Sequence, residues 1–304
     1  MENFVLVLVY LLLGYVLRRL PQFPANTGLV LNQFVLYIAL PALVLQKIPL
    51  LQFSSQLLLP ALVPWLLLLL VAGAVVTAGR VWGWQRQTTA ALLVVLPLGN
   101  TSFLGFPMVE AFFGAQALPV AMIYDQAGSF VALATWSTII AALYNPNAER
   151  PTVASISQRI LLFPSFIALA LALLLQPWAY PYPALVDSVL GSLSATLVPV
   201  IMIAVGFQFR LQLEPGEKGP LAFALAVKLL AMPLTAWLLL QALNAQPQIL
   251  QVTVFEAAMP PMVSAGAIAI AAGLAPRFVS ALVGLGLVLS FLTLPLWSAL
   301  LGGV

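Results

Sequence analysis

Two proline-containing stretches decide the fold of this chain. Residues 97–107 read PLGNTSFLGFP and residues 259–266 read MPPMVSAG, each inside an apolar run long enough to form a helix. Proline lacks the backbone N–H that a helix interior needs, and its ring clashes with the preceding turn. In the second stretch Pro261 also pushes Pro260 out of the α-helical region. Both apolar runs are therefore predicted to break in the middle.

The composition around these stretches is that of a membrane protein. Of the 304 residues, 63% are hydrophobic and only 6% are charged, whereas soluble domains carry about 25% charged residues. The chain therefore belongs in a lipid bilayer. Unwound backbone at membrane depth must be sheltered by protein or line a cavity, so the two breaks are predicted to lie inside the molecule.

The missing residue types exclude several kinds of chemistry. The chain has no His and no Cys, which excludes a Ser-His-Asp triad, a thiol nucleophile and metal sites built on His or Cys. The 11 basic residues form no cluster, so no nucleic-acid partner is expected. We predict no metal site, no cofactor and no enzymatic activity.

Ten apolar segments divide the chain. A spanning helix needs about 20 mostly apolar residues, and charges, glycines and proline pairs separate the segments. They lie near residues 4–20, 28–47, 57–79, 88–113, 117–143, 156–176, 185–208, 219–243, 249–273 and 278–301. The predicted fold class is an all-α integral membrane protein with ten transmembrane helices.

The basic residues indicate the orientation of these segments, because Lys and Arg collect in cytoplasmic loops. After an even-numbered segment there is only Lys47, and Lys228 lies inside a segment. The other nine basic residues follow odd-numbered segments: Arg18, Arg19, Arg80, Arg86, Arg150, Arg159, Arg210, Lys218 and Arg277. Both termini are therefore predicted to be extracytoplasmic in a multi-pass protein of the cell (inner) membrane.

Ten segments also suggest two halves of five, of which the second enters the membrane from the opposite side. We predict a first five-helix repeat at 1–145, a cytoplasmic linker at 146–155 and a second repeat at 156–304. Residues 107–109 and 261–263 both read PMV and lie 154 positions apart. Broken segments at corresponding places in two repeats indicate a transporter's substrate site, although proline kinks that only shape the bundle are the alternative.

Three stretches resemble motifs of the auxin efflux carrier family. Residues 99–107, GNTSFLGFP, resemble its helix-4 motif; residues 258–263, AMPPMV, resemble its helix-9 motif; residues 289–297, LSFLTLPLW, are similar to its last helix. The resemblance implies two inverted repeats, scaffold and transport domains each drawn from both repeats, and broken helices 4 and 9 crossing near the site. It also implies transport of organic anions. The family often has Asn shortly after the helix-9 proline pair, where this chain has Ser264.

The crossover supplies the predicted substrate site. Half-helix N-termini present free N–H groups and a positive dipole end, which suit a carboxylate without a basic side chain. Asn100 adds an amide donor, whereas capping of the break is its structural alternative. The predicted substrate-binding residues are Asn100, Thr101, Pro107, Pro260, Pro261, Ser264 and Asn32; the last is also interpretable as a residue of a helix interface.

Three charged residues lie deep in the predicted spans. Asp125, Lys228 and Glu256 are about 10–14 Å inside, near the middle of a core about 30 Å thick. An ionised group there costs about 2.5–3.5 kcal/mol, so each must be paired, neutralised or hydrated. Lys228 is predicted to pair with either carboxylate or to attract an anion. A carboxyl that holds a proton is a candidate for coupling, and a structural ion pair is the alternative.

These features predict a secondary active transporter that moves a small organic anion, such as an auxin-like or dicarboxylate compound, by alternating access. The coupling ion is left open between H⁺ and Na⁺, and homodimer formation is left open too. A sodium-coupled, bile-acid-like symporter is the alternative within carriers, and a channel is a third reading. An intramembrane aspartyl protease fits poorly because Tyr124-Asp125 supplies one aspartate of the required pair and no Gly-x-Gly-Asp motif exists.

Overall fold

A computed structural model describes residues 2–50, 54–145, 151–179, 181–208 and 218–302. Within these ranges all regular elements are helices, which we number α1 to α13. They are α1 Glu2–Leu17, α2 Thr27–Leu50, α3 Ser55–Val81, α4 Arg86–Val95, α5 Thr101–Phe113, α6 Ala115–Tyr144, α7 Val153–Leu161, α8 Pro164–Ala179, α9 Ala184–Gln208, α10 Lys218–Ala242, α11 Pro247–Ala257, α12 Val263–Ala271 and α13 Pro276–Leu300.

Six of these helices are long and apolar enough to cross a membrane unaided: α2, α3, α6, α9, α10 and α13. The pair α7 and α8 meets the same test as one unit, although the two axes differ by 64°. Length and apolar composition on this scale match a bilayer core. The prediction of an all-helical, multi-pass membrane protein is confirmed for the described part of the chain.

Both predicted breaks are present. The segment near 88–113 consists of α4 and α5 with non-helical backbone between them, and the segment near 249–273 consists of α11 and α12. The second halves begin at Thr101 and Val263, which are 162 positions apart. The prediction that residues 107–109 and 261–263 correspond at an offset of 154 is therefore wrong. Pro107 lies inside α5, one turn after the break, whereas Pro261 lies in the break itself.

Four of the described helices contain turns of π-helix. These turns are Val35–Ala39 in α2, Thr101–Gly105 in α5, Tyr124–Phe130 and Leu133–Ser137 in α6, and Val227–Ala231 in α10. A π turn inserts an extra residue into the helical repeat and is frequent at functional sites. Two of the deep charges, Asp125 and Lys228, lie in these turns.

The two halves of the chain pack against each other through exchanged helices. α1 packs along the second half of α9, while α8 packs along the second half of α2. The first interface is very close: a Cβ at Gly14 would overlap the backbone of Ile203, and one at Gly206 would overlap the backbone of Leu11. Small residues permit this backbone approach between membrane helices.

The predicted linker 146–155 lies partly outside the described residues, which resume at Pro151. Its last residues already belong to α7, because the helix begins at Val153. A capping box starts it: the Thr152 side chain accepts from the N–H of Ser155, and the Ser155 hydroxyl accepts from the N–H of Thr152. Such reciprocal bonds satisfy two free donors at a helix start.

Replacement of Gly206 by leucine tests the α1–α9 contact. We expect Gly206→Leu to lower the thermal unfolding temperature of the purified protein, because overpacking costs about 1–3 kcal/mol. Gly73→Leu is the matched control, since a Cβ at Gly73 meets nothing within 4 Å. Equal unfolding temperatures for the two variants would contradict the close contact.

Candidate functional site

The two breaks are joined to each other by hydrogen bonds. The N–H of Asn100 donates to the carbonyl of Pro260 at 2.8 Å, and the N–H of Met262 donates to the carbonyl of Leu98 at 3.1 Å. Together they form an antiparallel bridge between Gly99 and Pro261. Each break thus supplies the partners that the other lost when its helix was interrupted, as buried backbone groups require. We call this paired region the crossover.

Glycine is required where the crossover is most crowded. A Cβ at Gly99 would lie 3.3 Å from the carbonyl oxygen of Glu256 and 3.4 Å from Nζ of Lys228. A Cβ at Gly286 in α13 would lie 2.5 Å from Cδ of Pro261. The missing side chains let α13 and the Lys228 ammonium approach the unwound backbone closely.

Asp125 is the hydrogen-bonded acid of the site. Its Oδ1 accepts from the hydroxyls of Thr101 and Ser102, both at 2.5 Å, and its Oδ2 accepts from the amide of Gln126 at 2.9 Å. Three donors satisfy a buried carboxylate in its acceptor-only, ionised form. Since Thr101 and Ser102 open α5, the carboxyl also lies at the positive end of that helix, where a negative charge is favoured.

Lys228 reaches the first break from α10. A Cβ at Gly99 would lie 3.4 Å from its Nζ, so the ammonium sits next to the unwound backbone of that break. The hydrogen bond of Nζ goes to Sδ of Met232, at 3.5 Å. Lys228 thus belongs to the surroundings of the crossover.

The predicted hydrogen-bonded pair between Lys228 and a carboxylate is not formed among the described residues. Asp125 takes its donors from Thr101, Ser102 and Gln126, while neither side-chain oxygen of Glu256 has a hydrogen-bond partner. The physical reason is that the donors of Asp125 come from α5 and α6, while Lys228 lies beside Gly99 and bonds to Met232 of its own helix. All three side chains are nonetheless buried, with exposures of 1% for Asp125 and Lys228 and 0% for Glu256.

A small cavity of about 100 Å³ opens beside the crossover. Its polar lining consists of Asn100, Ser102, Asp125 and Ser264, and aromatic rings including Phe103 complete the wall. The side-chain nitrogen of Asn100 is buried and has no hydrogen-bond partner in the described structure. A buried amide donor without a partner is costly unless something binds it, so Asn100 offers a ready donor to a ligand.

A second, larger cavity of about 230 Å³ lies between α2 and α9 on one side and α12 and α13 on the other. It is mostly apolar, with Asn32, Gln208 and Ser280 among its polar lining residues. Phe103 lines both cavities. Phe103 is therefore part of the wall of each cavity.

The structure brings most of the predicted substrate-binding residues to the crossover. Asn100 and Ser264 line the small cavity, Thr101 donates to Asp125, and Pro260 and Pro261 supply backbone to the bridge. The role of these residues in substrate binding stays a prediction.

Two predicted residues lie elsewhere. Asn32 lines the larger cavity, at a distance from the polar cluster, and Pro107 is buried within α5 and lines neither cavity. The predicted substrate-binding residues do not include Ser102, Gln126 and Phe103, which the structure places at the site. Ser102 lies in the decisive stretch beside Thr101, and Gln126 is polar beside a deep aspartate, so both carried a signal; Phe103 among other apolar residues carried none.

An all-helical bundle with two interlocked broken helices around a buried polar cavity defines a membrane transporter. The comparisons with known proteins agree. The chain matches the membrane transport protein family over residues 1–298 and belongs to this family, that of the auxin efflux carriers, which confirms the resemblance of its motifs.

Two relatives illustrate how widely the sequence is shared. The chain is 28% identical to an uncharacterized transporter of Methanothermobacter thermautotrophicus, over 99% of this chain and 98% of the relative. It is 26% identical to an uncharacterized transporter of Methanocaldococcus jannaschii, over 86% of this chain and 85% of that relative. The similarity therefore extends over nearly the whole chain in the first case.

Removal of one donor to Asp125 tests the polar cluster. We expect Thr101→Val to destabilise the protein by about 1.5–3 kcal/mol, because a buried carboxylate loses a charge-assisted hydrogen bond. The measurement is thermal unfolding in detergent.

Thr235→Val is the control, because that exposed hydroxyl bonds only to a carbonyl of its own helix, Ala231, at 2.8 Å. A Thr101→Val protein as stable as the Thr235→Val protein would show that Asp125 does not depend on the Thr101 hydroxyl.

Proposed function

We propose that this transporter is a secondary active carrier that moves a small organic anion across the cell membrane by alternating access. The observation that carries the proposal is the unpartnered, buried amide of Asn100, which faces a cavity at the crossing of two broken helices. In carriers of this kind of architecture, substrates bind at discontinuous helices near the membrane midplane.

The proposed architecture has ten spans in two inverted five-helix repeats. If α4 with α5, α7 with α8, and α11 with α12 each form one span, the described helices give ten. The helix contacts support the inversion. In an inverted repeat the first span (α1) corresponds to the sixth (α7 with α8), and the second span (α2) corresponds to the seventh (α9). The contact between α1 and α9 then corresponds to the contact between α8 and α2, and both contacts are extensive.

Alternating access would move a transport domain that contains the crossover against a scaffold. The larger cavity supports this division, because α2 and α9 form one wall of it and α12 and α13 form the other. Asn32 near the start of α2 and Gln208 at the end of α9 lie at its edge. With both termini extracytoplasmic, these helix ends face the cytoplasm, so this conformation would be open toward the cytoplasmic side.

The chemistry of the small cavity favours an anion. Asn100 offers N–H donors, and the N-terminus of α12 adds a positive dipole end next to Ser264. The negative charge of Asp125 is already shared among three donors. A carboxylate of an auxin-like or dicarboxylate compound fits these donors, and H⁺ or Na⁺ would drive its accumulation.

Substitution of Asn100 tests the site. Purified protein in liposomes is screened for saturable uptake of labelled carboxylates, including indole-3-acetate and malate. We expect Asn100→Ala to abolish uptake while the protein stays folded, because the backbone bonds of the bridge do not involve this side chain. Asn100→Asp should also be inactive, since it places a negative charge against the anion.

Asn26→Ala is the matched control, an identical change at an exposed position before α2. Wild-type uptake by Asn100→Ala would remove Asn100 from the site. Tighter substrate binding by Asn100→Asp would indicate a cationic substrate instead of an anionic one.

A further inference from the structure

The three deep charges are not compensated equally. Asp125 has three hydrogen-bond donors at the N-terminus of α5, and Lys228 has a hydrogen bond to Met232. Glu256 has no such support: both side-chain oxygens are buried and lack a hydrogen-bond partner in the described residues. Of the two deep acids, Glu256 is therefore the one without donors.

The position of Glu256 disfavours an ionised carboxylate. It is the second-last residue of α11, where the helix dipole is negative. It is fully buried, and burial without hydrogen bonds penalises a charged group far more than a neutral one. Its carboxyl packs on the backbone of α5, because a Cβ at Gly105 would lie 2.5 and 2.8 Å from the two oxygens.

We propose that Glu256 is a proton-binding site coupled to anion binding and is protonated when the anion is bound. The inference rests on the proposed function, because it gives that carrier its driving ion. It assigns different roles to the two deep acids: Asp125 holds the start of α5 through its hydrogen bonds, and Glu256 carries the transported proton.

The coupling follows from how close Glu256 lies to the anion site. The N–H of Gly105, against which the carboxyl packs, donates to the backbone oxygen of Asn100 at 2.9 Å. The Glu256 carboxyl thus packs on the first turn of α5, the turn that directly follows Asn100. Two negative charges at this separation repel strongly in a buried site, so anion binding favours the protonated form and protonation favours anion binding.

Few other groups share this environment. The titratable residues in the middle of the helices packed against α11 are Tyr124 and Asp125 of α6 and Lys228 of α10. Glu110 lies further along α5, and α3 and α13 bring only Arg80 and Arg277, near their ends. A tyrosine is neutral near pH 7, and Asp125 is held by its donors, so Glu256 is the group left to exchange a proton.

The step balances in protons and charge. The Glu256 carboxylate takes one proton from water on the side from which the anion enters, and the resulting carboxyl gives that proton to water on the side where the anion leaves. No other bond forms or breaks. One proton accompanies one anion, so a monocarboxylate crosses without net charge and a dicarboxylate carries one negative charge with it.

The first test needs no substrate. Infrared difference spectra of the purified protein, recorded across a change of pH, report the C=O stretch of a protonated carboxyl in dry surroundings. We expect this band in the wild type and in Glu110→Gln, and its loss in Glu256→Gln. An unchanged band in Glu256→Gln would overturn the assignment of the proton to Glu256.

The second test measures the flux of indole-3-acetate and of malate into proteoliposomes. The flux into protein-free liposomes is subtracted as background. Apparent affinity in the wild type should fall about tenfold for each pH unit above the titration of Glu256, as one linked proton requires. Glu256→Gln imitates the protonated form. It should exchange labelled anion across the membrane at all pH values, but it should not accumulate anion in response to a pH gradient.

Glu110→Gln is the matched control and should accumulate anion as the wild type does. Accumulation by Glu256→Gln in a pH gradient would overturn the proposal. Absence of flux in the wild type with either anion would instead count against the proposed substrate class, and the infrared band would still decide whether Glu256 holds a proton.

Discussion

The structure depends on one constraint: backbone N–H and C=O groups at membrane depth must find partners within the protein. Two helices are interrupted by proline and glycine, and each interruption would leave such groups unpaired. The chain resolves this by crossing the breaks, so that Asn100 bonds to Pro260 and Met262 bonds to Leu98. Neither broken helix is stable in the membrane without the other, and this ties the two halves of the chain together at the site.

The same crossing arranges four helix ends in a small volume and so creates an electrostatic pattern. The N-terminal end of α5 is met by Asp125 through two hydroxyls, and Lys228 places its Nζ beside Gly99 in the first break. A negative charge at a helix N-terminus is favoured. Three features take no part in this pairing: the polar cavity, the amide of Asn100 and the carboxyl of Glu256, which has no hydrogen-bond donor in the described residues. We assign these three features to transport.

Much of this was accessible from the sequence, and the failures have identifiable causes. Proline removes a donor wherever it stands, so the two breaks could be predicted from the prolines of each stretch, and most directly from the Pro260–Pro261 pair in the second. The correspondence drawn through Pro107 failed because a short match fixes no register, and the helices after the breaks begin at Thr101 and Val263. The π turns and the bend between α7 and α8 depend on packing by distant helices, which no local pattern encodes. The surroundings of Lys228 were missed for the same reason, since Gly99 comes from a distant segment of the chain.

The most direct test is an experimental structure with a bromine-labelled aromatic carboxylate, whose position the anomalous signal of bromine reports. We predict that the carboxylate lies within hydrogen-bond distance of the Asn100 side-chain nitrogen and the N-terminus of α12, with the ring next to Phe103. A carboxylate found only at arginines of the loops, with the crossover cavity empty, would contradict the assignment of the crossover as the substrate site.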